Sequence, residues 1–181
     1  MTPAILHGPE LLLRAQGVKV VFFDVDGTLT DGSLYFTAKG ETLKRFNVLD
    51  GYGLQLLRRA GIEPAVISGR DSKALRERLR ALGLAHVHFG VEDKCVAAQT
   101  TLAALGLQWS QAAAMGDDWP DLPLMQRCAF NAAPANAHEE VLAVADYVSA
   151  KRGGEGAARD VCDLLLAASG QYASLLGKAG T

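Results

Sequence analysis

Asp24 and Asp26 stand two residues apart in FFDVDGTLTDG, and Asp117, Asp118 and Asp121 stand together in GDDWPDL. Carboxylates drawn to one place repel each other unless a hard cation lies between them. Magnesium suits such a set, because it takes oxygen ligands in octahedral geometry and keeps several of its waters. Asp24 and Asp117 are the expected metal ligands, with the backbone carbonyl of Asp26. Asp118 and Asp121 are expected one step back, holding bound waters or orienting Lys94. A carboxylate is also a nucleophile: Asp24 is the candidate for forming an aspartyl phosphate that water then hydrolyses. Asp26 is the candidate for giving a proton to the leaving alcohol and taking one from the attacking water. Ser68 and Thr28 offer hydroxyls to phosphoryl oxygens, and Lys94 offers charge to the transition state. Arg70, in ISGR, offers a planar fork to an anionic group of the substrate.

These residues are far apart in the chain, so a fold must gather them. The stretch from Val18 to Val25 is β-branched and aromatic, with a continuous apolar run at Val20 to Phe23 that predicts a strand covered on both faces. SLYFT and TLKRFNV around AKGE predict a two-stranded hairpin. GYGLQLLRRAG predicts a helix opening after Asp50 as N-cap and closing at Gly61, followed by the strand EPAVIS. A helix from Asp71 to Leu82, a short strand HVHF and a helix from Glu92 to Leu105 continue the pattern, with Gly83 and Gly106 as C-terminal stops. AAAMGDD and CAFNA read as strands around a short helix PDLPLMQRC, and a strand near ADYVS and a helix from about Glu155 to Ser169 complete the series. Strands alternating with helices predict an α/β fold, a Rossmann-like three-layer sandwich with a central parallel sheet. Ligands of such sheets bind beyond the carboxyl ends of the strands. Asp24, Asp26, Ser68, Asp117 and Asp118 fall at those ends, and Lys94 begins a helix there.

The chain has 181 residues, 18 basic against 20 acidic. We read it as one domain over 1–181, with a core of about 18–170 and a poorly ordered tail over 171–181. A near-neutral balance gives no pull toward nucleic acid or an anionic membrane, and no apolar run approaches a bilayer span. Cys95, Cys128 and Cys162 are unpaired in spacing, as expected of free thiols in a reducing cytoplasm.

DVDGTLTDG, ISGR, Lys94 and GDDWPDL resemble, in order and spacing, the four motifs of the haloacid dehalogenase-like hydrolases. An aspartate two positions after the nucleophile is what phosphatases and phosphomutases of that superfamily carry, whereas its transport ATPases carry threonine. The spacing leaves room for the hairpin flap after the first strand and no cap domain. A phosphomutase must shield its aspartyl phosphate from water, so the missing cap favours hydrolysis. FNVLDGYG and GGEGAARDVCDLLL further resemble the capless phosphatases of 3-deoxy-D-manno-octulosonate 8-phosphate. That resemblance implies a sugar acid phosphate substrate contacted by Asp26, Asn47, Val48, Leu49, Asp50, Gly51, Arg70, Arg78 and Lys94. It also implies a homotetramer whose hairpins meet in a central barrel, each C-terminal segment reaching a neighbour's site. Leu49, often arginine in that family, and Gln55, often basic, depart from the pattern and keep a nine-carbon sugar acid 9-phosphate as an alternative.

Other residues carry plainer readings. His86 and His88 alternate on a short strand with no acidic partner and read as structural; His7 and His138 have no supporting context. Trp119 and Pro120 read as packing and helix-start residues. Gly153 and Gly154 read as a flexible turn rather than a phosphate cradle, since no lysine and hydroxyl pair follows them. A signalling receiver domain also gathers acids, a hydroxyl and a lysine at a sheet edge, but its phosphorylated aspartate follows the third strand. An inactive oligomeric scaffold is the remaining reading, and the intact set of motif side chains gives it no support.

Overall fold

The computed structural model describes residues 7–179. In chain order the elements are α1 (Pro9–Ala15), β1 (Val20–Phe23), β2 (Tyr35–Thr37), β3 (Gly40–Leu43), α2 (Val48–Arg59), β4 (Glu63–Ile67), α3 (Lys73–Leu82) and β5 (His86–His88). There follow α4 (Lys94–Leu105), β6 (Ala112–Met115), α5 (Leu122–Met125), β7 (Phe130–Ala133), α6 (Glu139–Val144), β8 (Tyr147–Val148), α7 (Ala157–Ala168) and α8 (Tyr172–Ala179).

Six strands form one parallel sheet in the order β5-β4-β1-β6-β7-β8. Side chains alternate across it. Val21 and Phe23 face a core shared with α1, α2, α3 and α7, while Val20 and Phe22 face the one built on α4, α5 and α6. Both layers exclude water from β1, which explains its unbroken apolar run. The chain leaves β1 toward β4 on one side and returns to β6 on the other, so the switch of direction lies at the carboxyl ends of β1 and β6. β2 and β3 stand apart as a two-stranded antiparallel hairpin, and among the described residues no insertion caps the sheet.

Three expectations are corrected. Helix α2 begins at Val48 rather than after Asp50: Asn47 is its cap, with Oδ1 accepting the Leu49 N–H at 2.8 Å. Asp50 lies inside the helix, buried, where its Oδ1 accepts the Arg159 N–H at 2.8 Å. The expected disorder after Gln171 is instead helix α8, whose Tyr172 and Leu175 pack on the core beside α7; the last two residues of that stretch lie outside the described ones. Helices α1 and α6, which are short, were not expected.

Candidate active site

The loop after β1 folds back on one atom. The N–H groups of Thr28, Leu29 and Thr30 and the Thr30 hydroxyl all point to the Val25 carbonyl, at 2.9 to 3.3 Å. This turn needs Gly27 in the left-handed region, φ 98°, and any Cβ there would sit 2.0 Å from Asp117 Oδ2. It places Asp24 and Asp26 at the carboxyl end of β1, facing residues from β4 and β6. Asp24, Asp26, Gly69, Arg70, Lys94, Asp117, Asp118, Pro120 and Asp121 line one open cleft.

Lys94 ties the cleft together. As the first residue of α4 it is buried, and its Nζ donates to Asp24 Oδ1 at 2.5 Å and to Asp121 Oδ1 at 2.6 Å. Asp121 Oδ2 accepts the N–H groups of Asp117 and Asp118 at 3.1 and 3.3 Å. With both oxygens engaged, Asp121 is a strut that sets Lys94 and the loop after β6. Thr28 is fully buried and donates to Asp117 Oδ1 at 3.0 Å, so its hydroxyl orients a carboxylate instead of facing the cleft. Asp118 caps the turn that follows, accepting the Trp119 N–H at 2.8 Å.

One oxygen from each of Asp24, Asp117 and Asp121 lies within 4.8 Å of the others. Burial, then the neighbouring Asp121, pushes the Asp24 carboxyl up to about 8 against the opposing pull of Lys94. Burial and Asp121 likewise push Asp117 up to about 7, against the Thr28 hydrogen bond. Burial pulls the Lys94 ammonium down, but Asp24 and Asp121 outweigh it and its pKa is raised. Asp24, Asp117 and Asp121 together thus carry more carboxylate than Lys94 balances. A divalent cation beside Asp24 and Asp117 would offset that excess and keep both ionised, so the donor set fits magnesium.

Ser68 follows β4, is buried, and accepts the Arg70 N–H at 3.1 Å, which leaves its own O–H able to donate. Arg70 is half-exposed at the cleft wall, its Nε 3.9 Å from Asp26 Oδ2. The segment expected to contact substrate lies elsewhere in the protomer. Asn47, Asp50, Gly51 and Arg78 line a separate small cavity, and Arg78 Nη2 donates to the Asn47 carbonyl at 3.4 Å. Val48 and Leu49 are exposed on the first turn of α2. The physical reason is the earlier helix start, which turns Asp50 and Gly51 inward against α7 and α3.

Sequence reasoning missed three supports. Lys44, which follows β3, bonds Asp26 Oδ1 from a fully buried side chain; nothing in TLKRF sets it apart from its polar neighbours. Asn136 bridges two loops, donating to the Gly27 carbonyl at 3.1 Å and accepting the Gly153 N–H at 2.6 Å. Gly153 and Gly154 are no flexible turn: Gly154 donates to the Thr28 carbonyl at 3.1 Å, and a Cβ on Gly153 would lie 1.7 Å from the Gly27 carbonyl oxygen. The doubled glycine was the available signal. Gly153→Ala should therefore push the catalytic loop aside, costing about 1–3 kcal/mol of stability and on the order of 10²-fold in kcat. Wild-type melting and turnover in that variant would refute the close packing. His138 accepts from Trp119 Nε1 at 3.0 Å and caps α6, while Trp119 stays 60% exposed, so its packing role is confined to that contact. His88 meets Thr101 Oγ1 at 2.8 Å, a structural contact.

A parallel sheet without a cap, with paired aspartates after its central strand and a lysine reaching them from a crossover helix, defines a haloacid dehalogenase-like hydrolase. The family model of that description matches residues 90–159. The chain is 41% identical over 174 residues to the 3-deoxy-D-manno-octulosonate 8-phosphate phosphatase KdsC of Yersinia pestis, covering 94% of this chain and 93% of that one. It is 38% identical over 178 residues to KdsC of Escherichia coli K12, covering 97% and 95%. The crystal structure of the Moraxella catarrhalis phosphatase of the same name, in complex with magnesium, phosphate and KDO, superposes with a TM-score of 0.90 at 38% identity, covering 95% of this chain and 99% of that one. The chain belongs to the 3-deoxy-D-manno-octulosonate 8-phosphate phosphatase family. Among the described residues no helix is long and apolar enough to cross a membrane.

Proposed function

We propose that this chain is a magnesium-dependent phosphatase that hydrolyses 3-deoxy-D-manno-octulosonate 8-phosphate to the free sugar acid and phosphate. The observation that carries the reading is the Asp24–Lys94–Asp121 chain of ion pairs beside Asp26 and Asp117 in one open cleft, in a protein 41% identical to a phosphatase of that substrate. Asp24 attacks phosphorus, the bond to the sugar oxygen breaks, and Asp26 gives that oxygen a proton. Water then attacks the aspartyl phosphate while Asp26 takes its proton back, which frees phosphate and restores Asp24. Lys94 keeps Asp24 aimed and balances charge on the transferring group, and the Ser68 hydroxyl donates to a phosphoryl oxygen. Asp24, Asp117 and the Asp26 carbonyl would hold magnesium, which when bound supplies positive charge to the phosphoryl oxygens.

Phosphate release from a panel of 3-deoxy-D-manno-octulosonate 8-phosphate, nine-carbon sugar acid 9-phosphates and hexose phosphates, with magnesium and with EDTA, tests this reading. We expect preference for the eight-carbon acid and loss of activity in EDTA that added magnesium reverses. Preference for a nine-carbon acid would change the substrate and keep the chemistry; EDTA-resistant turnover would remove the metal. Leu49 and Gln55, the two departures from the family pattern, are not among the residues lining the cleft of the protomer.

We further propose that the whole chain is one catalytic domain and acts as a homotetramer joined through the hairpins. Leu34, Tyr35, Phe36 and Leu43 leave apolar surface exposed along the hairpin, and this supports the assembly. Sedimentation should give four times the chain mass, and Phe36→Glu should lower it; a monomeric wild type would overturn the proposal. Three buried free thiols, Cys95, Cys128 and Cys162, support a cytoplasmic place of work.

A further inference from the structure

The hairpin presents its side chains to solvent: Tyr35, Phe36 and Leu43 are 45%, 62% and 53% exposed. Lys44, the next residue, does the opposite. Its side chain has no exposed area, and its Nζ meets Asp26 Oδ1 from the loop after β1 and Glu41 Oε1 from β3, the latter at 3.0 Å. An ammonium taken wholly out of water is costly unless it is well paired, so this contact is built rather than incidental. It joins the hairpin to the loop after β1. Nearby, the hairpin is tied to the first-strand loop by the half-exposed Arg45, 3.1 Å from Asp31, and by the bridge between Thr30 and Phe46. Asp26 keeps 20% of its side chain exposed, and its second oxygen lies 3.9 Å from Arg70 Nε.

We propose that Lys44 is a positioning residue for Asp26. It holds Oδ1 from beneath, fixing the side-chain rotamer so that Oδ2 stays presented to the cleft, and it makes that presentation depend on the docked hairpin. The inference rests on the phosphatase reading of Asp26 given above. Lys44 exchanges no proton in the reaction: the proton passes from Asp26 to the leaving sugar oxygen as its bond to phosphorus breaks, and returns to Asp26 from the water that opens the aspartyl phosphate. An acid free to rotate spends little time in line with the leaving oxygen, and misplacement by about 1 Å costs on the order of 10²-fold.

The test compares Lys44→Met and Lys44→Arg on two esters. One is 3-deoxy-D-manno-octulosonate 8-phosphate, whose alkoxide needs a proton; the other is p-nitrophenyl phosphate, whose phenolate leaves without one. Lys44→Met should lower kcat/KM for the sugar ester on the order of 10²-fold and leave kcat/KM for the aryl ester within a few-fold, since that ratio covers formation of the aspartyl phosphate, where only the sugar leaving group depends on the acid. Lys44→Arg, which keeps a donor on Asp26, should recover part of the loss. In an Asp26→Asn background the Lys44→Met change should cost nothing further, because a residue acting through Asp26 has no effect once that carboxylate is gone. Equal losses of kcat/KM on both esters, or losses that add in the double variant, would overturn the positioning role while leaving the phosphatase reading intact. A wild-type protein that releases phosphate from neither ester would overturn both. Should Lys44→Met fail to fold, Lys44→Arg and Lys44→Gln carry the same comparison of leaving groups.

Discussion

Asp24→Asn should abolish phosphate release, leaving on the order of 10⁻⁴ of wild-type kcat or less, the scale of loss that follows removal of a covalent nucleophile. The amide occupies nearly the same volume as the carboxylate but does not attack phosphorus. The fold should survive, because Lys94 keeps its bond to Asp121 at 2.6 Å and the substitution removes one charge from a buried, crowded set. The checks are steady-state phosphate release, a thermal melt within a few degrees of wild type, and intact-mass detection of a trapped phosphoryl adduct in the wild type alone. Residual turnover near one hundredth of wild type, or an adduct persisting in the variant, would take the nucleophile role from Asp24.

Lys94→Met should damage both stability and catalysis. The lysine side chain is 7% exposed and bonds two carboxylates that are themselves nearly buried. Removing it leaves Asp24, Asp117 and Asp121 facing each other without their ammonium, and stripping one partner from a buried pair costs about 3–5 kcal/mol. For a chain of this length that is a fall in Tm of roughly 10 °C. Losing a charge aimed at the transferring phosphoryl group should cost a further 10²–10³-fold or so in kcat. Magnesium should restore part of the Tm, since a bound cation stabilises the native state by mass action and substitutes for the missing charge. A variant that melts like wild type in EDTA would show that Lys94 does not neutralise the cluster.

The two catalytic ends of the sheet were legible for a simple reason. A parallel sheet sends every strand's carboxyl end to one edge, so recognising β1 and β6 as strands was enough to bring Asp24 and Asp117 together. Lys94 was legible as the start of a helix at that edge, and Gly83 and Gly106 as helix ends, where both adopt the left-handed conformation. The supports were not legible. Lys44 sits in an alternating hairpin where polar residues usually face water, and its burial depends on Asp26, 18 positions earlier. Asn136 and Gly153 act on Gly27 from more than a hundred residues away. Asp50 reads as a cap from local sequence, whereas Asn47 fills that place and Asp50 meets the Arg159 N–H, 109 positions later.

Local patterning by itself determined the strands, the helices α2, α3, α4, α5 and α7, the parallel sheet and the edge where the aspartates meet, because periodicity and capping act over a few residues and each expresses itself independently of the rest of the chain. Tertiary structure alone decided which carboxylates are struts and which are open to the cleft, that Lys44 is drawn beneath Asp26, and that α8 is a helix packed beside α7. Those outcomes depend on desolvation and on partners supplied by distant segments, and neither exists until the chain has closed around its core.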